Sequence, residues 1–115
     1  MTAYERNDFQ TAIHRLTRSL RLNPKNPFAF YNLGNALTAA QKQDDAMEAF
    51  KKAIALKPDF AEGHNNLGIL LLAKNRLDDA ETCFKNSLAI KPDNPQAKNN
   101  LAVIQQKKKE GPPAD

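Results

Sequence analysis

A single cysteine, Cys83, excludes an intrachain disulfide within these 115 residues and agrees with a reducing, cytoplasmic setting. Long apolar runs are missing too. The longest, Ile69–Ala73, falls far short of the ~20 residues needed to cross a bilayer, so no membrane insertion is expected. The opening stretch MTAYERNDF has no apolar core of the kind a secretory signal carries. There is no glycine-rich phosphate loop, the two histidines His14 and His64 stand 50 residues apart, and no nucleophile–base pair or metal-ligand set suggests itself. These absences speak against an enzyme and against a cofactor or metal. A continuous stripe of one charge is also lacking. The net charge of +4 comes from the two ends, five Lys/Arg against two acids in 1–25 and four against two in 94–115, while 26–60 balance four against four. A nucleic-acid partner more often meets an unbroken basic face and is not expected.

What is present is a repeat. With 41% hydrophobic and 26% charged residues, the composition is that of an ordinary globular chain with a modest core. Residues 26–59, NPFAFYNLGNALTAAQKQDDAMEAFKKAIALKPD, align without a gap on 60–93, FAEGHNNLGILLLAKNRLDDAETCFKNSLAIKPD, with 14 identities over 34 positions. The period runs past both ends. Ala12, Leu16 and Pro24 precede Ala46, Phe50 and Pro58 by 34 residues, and Asn100, Leu101 and Ala102 follow Asn66, Leu67 and Gly68 at the same distance.

Each unit reads as two helices. The first opens on Asn26 or Asn94 as N-cap with proline at the first helical position, or on an Asp59-x-x-Glu62 capping box. Its apolar positions Phe30, Leu33, Gly34 and Leu37 recur as His64, Leu67, Gly68 and Leu71, one face of a helix. The second helix starts near Asp44 or Asp78, buries Ala46, Phe50, Ala53 and Ile54 or their counterparts, and stops before Pro58 or Pro92. Gly34 with Ala46, and Gly68 with Ala80, let the paired helices approach closely. The expected fold is all-α, an α-solenoid of antiparallel helix pairs with about six helices. It forms one domain over 1–110, made of a partial repeat 1–25, repeats 26–59 and 60–93, and a capping helix 94–110; a disordered tail follows at 111–115. Residues 1–6 match only the last turn of a first helix, ahead of a second helix near 8–22. Lys98 and Gln105 replace the apolar residues of earlier repeats, as suits a terminal helix with no follower.

These residues resemble the tetratricopeptide repeat family over about residues 3–106, with the small-residue, aromatic and proline positions in register. The NNLG…A…F…A…LKPD flavour is similar to the right-handed superhelical arrays of O-GlcNAc transferase and many bacterial scaffolds. The resemblance implies a module that binds other proteins, with the side of each first helix opposite the core lining a concave groove. Phe28, Tyr31, Asn32 and Asn35 lie there, followed by Asn65, Asn66, Ile69 and Leu72, then Asn99 and Asn100. Asn32, Asn66 and Asn100 recur once per repeat. An Asn amide both donates and accepts, so it pairs with both sides of a peptide unit; in superhelical members of the family this slot holds an extended peptide by its backbone. The other reading has the same amides bonding neighbouring helices. Asn35, Asn65 and Asn99 are more peripheral. Another family device, a clamp for acidic chaperone tails, needs three cations, and the matching positions Tyr31, Asn35, Asn66, Gln96 and Asn100 supply none. An extended, uncharged or mildly apolar peptide is the expected partner, with Phe28 and Tyr31 as anchors.

The function that follows is peptide binding in a groove; the alternative is an assembly scaffold. In the alternative, the first apolar helix, with Phe9 and Ile13, lacks a partner and makes a homo-oligomer. His64 reads as a packed histidine, His14 with Arg15, Arg18 and Arg21 as a solvated face, Cys83 as a small filler in the slot of Ala49, and Lys107–Lys109 as solvation of a helix end.

Overall fold

A computed structural model describes the backbone of residues 3–110 and the side chains of residues 8–110. Among these residues there are α-helices and no strands: α1 Ala3–Leu22, α2 Pro27–Ala39, α3 Gln43–Leu56, α4 Ala61–Ala73, α5 Leu77–Ile90 and α6 Pro95–Glu110. The chain divides into two compact units, residues 1–58 and 59–115. The expected tail at 111–115 lies outside the described residues. None of the described helices is long and apolar enough to cross a membrane.

In the first unit α2 packs against both α1 and α3. Asn26 starts α2: its Oδ1 accepts from the backbone N–H of Phe28 at 3.0 Å and of Ala29 at 3.2 Å, and Pro27 follows at the first helical position. The hairpin ends in a tight turn in which the Lys42 N–H reaches the Leu37 carbonyl (2.8 Å) and the Gln41 N–H the Thr38 carbonyl (3.0 Å). That bonding pattern needs a left-handed residue after the helix, and Gln41 takes it with φ 65°. The core is Ala46, Met47, Ala49, Phe50 and Ala53 of α3 against Ala29, Gly34 and Leu37 of α2. Gly34 is required. A Cβ there would stand 2.6 Å from the Phe50 ring, so the absent side chain is what lets the ring seat.

The second unit repeats this hairpin and adds a helix. α4 packs on α5, and α6 lies against α5 and touches α4. Phe84 is fully buried, and a Cβ on Gly68 would meet its ring at 2.7 Å. The turn is again closed by a left-handed residue, Asn75 with φ 60°. Ser87 replaces the alanine of the first unit and is fully buried; its hydroxyl donates to the Ala61 carbonyl at 2.9 Å. α6 is capped by Asn94, whose Oδ1 accepts from Gln96 N–H (3.0 Å) and Ala97 N–H (3.3 Å), and it buries Ala97 and Ile104. Near its end the Lys108 ammonium lies 2.5 Å from Asp78 and 3.4 Å from Glu81 of α5. The hydrogen bond from Lys108 holds the Asp78 carboxyl below its usual value; Glu81 is lowered mainly by Lys85, and Lys108 itself is raised by Asp78.

Two expectations are corrected. α1 runs unbroken over Ala3–Leu22, so among the described residues no boundary separates 3–6 from the helix near 8–22. The N-cap of α4 also falls one residue later than the expected Asp59. Phe60 takes the N-cap place of α4 with no side-chain cap bond of its own, and Glu62 pairs with Lys91.

Candidate functional site

The first helix of a hairpin is pinned from one side by the aromatic ring of its partner helix, and α1 on α2 or α6 on α4 covers a further part of its surface. In the first unit this places Phe28, Asn32 and Asn35 at the surface of α2, Phe28 with 56% of its area exposed. The Asn32 side chain makes no hydrogen bond among the described residues, so its donors and acceptor are open to a ligand. Tyr31 departs from the expected outward position. It is half-buried, with its ring 5.9 Å from that of Phe50 and tilted 54° to it, so it stands at the edge of the core. Phe9 and Ile13 of α1 are half-buried.

In the second unit the face runs over α4 and α6. Ile69 is 41% exposed, Leu72 and Asn66 are half-buried, Asn99 is exposed and Asn100 is half-buried. Asn65 was expected on the open side. It is instead 3% exposed, because α6 packs against α4. Its Nδ2 donates to Gln96 Oε1 over a long 3.4 Å, and its Oδ1 has no partner among the described residues. A buried acceptor left without a donor costs about 1–3 kcal/mol, so Asn65 is a poor choice for packing alone. An open recess of about 610 Å³ is lined by Glu62, Ile90, Lys91, Pro92, Asp93, Asn94 and Pro95, the last of these the residue before Gln96. Glu62 and Lys91 form an ion pair on its wall and neutralise each other there.

Sequence reasoning missed Gln96 as the partner of Asn65, and it missed the recess. The spacing of Glu62 and Lys91, 29 residues apart and opposite in charge at the two ends of the hairpin, was the signal available for the latter. His64 is half-buried, His14 is exposed and Cys83 is buried. Among the described residues no group of three His, Cys, Asp or Glu is placed to hold a metal ion.

The helical hairpins and their small-residue/aromatic contacts define a helical-repeat protein. The family model described as TPR repeat matches residues 2–39 and 34–74, and the one described as Tetratricopeptide repeat matches 61–94; the chain belongs to the tetratricopeptide repeat family. Among curated proteins it is 33% identical over 60 residues to Protein STIP1 homolog of Dictyostelium discoideum, a match that covers 52% of this chain and 11% of that protein. The match to the Peroxisomal targeting signal receptor of Saccharomyces cerevisiae is 32% over 57 residues, 50% of this chain and 9% of the other. The matched region thus spans about a tenth of the length of these relatives. Among solved structures, the first TPR of Spaghetti (RPAP3) bound to HSP90 peptide SRMEEVD superposes with TM-score 0.84 at 24% identity, over 90% of this chain and 82% of that one.

Proposed function

We propose that the chain is a non-catalytic interaction module that holds extended, uncharged or mildly apolar peptide segments of other proteins on the faces of its first helices. The first unit offers Asn32 on α2, with Asn35, Phe28 and Tyr31 around it. The second offers Asn66 on α4 and Asn100 on α6, with Ile69, Leu72 and Asn99. The observation that carries this reading is the recurrence of asparagine at one point of the 34-residue period, at 32, 66 and 100. These helices are fixed elsewhere, by Phe50, Phe84 and Ile104, all essentially buried. Asn is a weak helix former, so three of them at one register point to what the amide does. An amide pairs with both sides of a peptide unit and ignores the side chain that follows.

The solved neighbour bound to an HSP90 peptide, SRMEEVD, supports peptide binding by this fold. Its ligand carries three acidic residues. In the present chain the positions suited to gripping carboxylates hold Tyr31, Asn35, Asn66, Gln96 and Asn100, none of them a cation, so no charge-assisted bonds are on offer. A ligand of low charge follows. A peptide array probed with wild-type protein and with the N32A/N66A/N100A variant tests the reading. The wild type retains a set of uncharged sequences that the variant, folded normally by circular dichroism, loses. Unchanged binding by the variant would dismiss the asparagines as the clamp.

A further inference from the structure

Asn65 and the recess at the start of α6 are used neither by the core nor by the recurring asparagines. Asn65 sits one residue from Asn66 yet is buried; among the described residues its carbonyl oxygen lacks a donor and its Nδ2 is held only by the long contact to Gln96. The counterpart in the first unit is Tyr31, so the position accepts a large, mostly apolar side chain. Packing alone therefore does not call for an amide. Gln96 is an exposed residue on the first turn of α6, free to swing to solvent. Its side chain ends in a carboxamide, the same chemical group as a peptide unit.

We propose that Gln96 occupies, on Asn65, the place of a ligand's peptide group. The ligand strand displaces Gln96, donates an N–H to Asn65 Oδ1 and accepts from Nδ2. The recess that ends at Pro95, one residue before Gln96, takes the adjoining side chain. Ile90, Pro92 and Pro95 give that recess apolar walls, the Glu62–Lys91 pair is internally neutralised, and Asp93 leaves one carboxylate on its rim. At about 610 Å³ it admits one large apolar residue. The subsite lies wholly in the second unit and reads a backbone amide plus one apolar side chain, which the recurring asparagines alone do not select.

This inference rests on the peptide-binding reading, and the test separates the two. A fluorescein-labelled uncharged decapeptide chosen from the array is titrated by anisotropy against wild type, N66A, N65A, N65L and Q96A, and each variant is also melted. N66A reports on the peptide-binding reading. Q96A reports on the placeholder: removing the competitor tightens binding about threefold or more, whereas N65A and N65L weaken it about tenfold. N65L also melts at a higher temperature than wild type, because the orphaned acceptor is gone. Replacing the apolar residue of the decapeptide by Ser weakens wild type more than it weakens N65A. Weaker binding by Q96A, or a lower melting temperature for N65L, overturns the placeholder even where N66A behaves as expected. If N66A and the array show no peptide binding at all, both readings fall together.

Discussion

The two hairpins, α2–α3 and α4–α5, share their interior and differ at their faces. Gly34 against Phe50 and Gly68 against Phe84 are the same contact made twice, with the same close approach. Outside it the repeats diverge. Phe28 is replaced by Glu62, which pairs with Lys91, and Tyr31, leaning on Phe50, by the buried Asn65. Ala53 gives way to Ser87 and its hydrogen bond to Ala61. The contact that sets the distance between helices is the same in both units, while the positions around it differ.

The strongest way to break this comparison is through the rings. Phe50→Ala and Phe84→Ala should each cost about 3–5 kcal/mol, read from urea unfolding midpoints, because both leave a cavity in a closed core. A markedly cheaper loss in one unit would show that the contacts are not equivalent. Next come the glycines. Alanine gains about 1 kcal/mol of helix propensity, yet a methyl within 2.6–2.7 Å of a ring atom forces repacking of about 1–3 kcal/mol. G34A and G68A should therefore each lower stability by about 1 kcal/mol, and a stabilised variant would contradict the account.

Smaller effects sharpen the contrast between the turns. Gln41 and Asn75 hold the same left-handed backbone, φ 65° and 60°, but Asn tolerates it better than Gln. Q41G should raise stability by about 1 kcal/mol in thermal melts and N75G by less, about 0.3 kcal/mol; equal gains would remove the distinction. Least of all is the clasp at the end of α6. Asp78 and Glu81 have lowered pKa values in the folded chain. Their contribution is present above the ordinary values of 3.8 and 4.5 and is lost as pH falls through the lowered ones. Amide exchange along α6 should rise below that window in wild type and depend less on pH in K108A.

The helical hairpins were legible because glycine, alanine, phenylalanine and proline recur at 34-residue spacing, and each has one steric reason to do so. The asparagine caps at 26 and 94 were legible for the same kind of local reason. Asn65 was not. A helical wheel measures an angle from the core of one hairpin, and it places Asn65 about half a turn away from that core. The wheel knows nothing of α6, which packs against α4. Tyr31 was misplaced for a related reason: a long side chain reaches around the helix to Phe50. The N-cap of α4 falls on Phe60 rather than Asp59, and the pairing of Glu62 with Lys91, 29 residues on, is one that local patterning does not weigh.

The central claim is that asparagine amides grip the backbone of an extended peptide. The most direct measurement titrates one uncharged array peptide and its backbone N-methylated analogue, which keeps every side chain and removes the N–H donors. Wild type should bind the methylated peptide at least tenfold more weakly, and N32A/N66A/N100A should bind both alike and weakly. Equal affinity of wild type for the two peptides would contradict the claim.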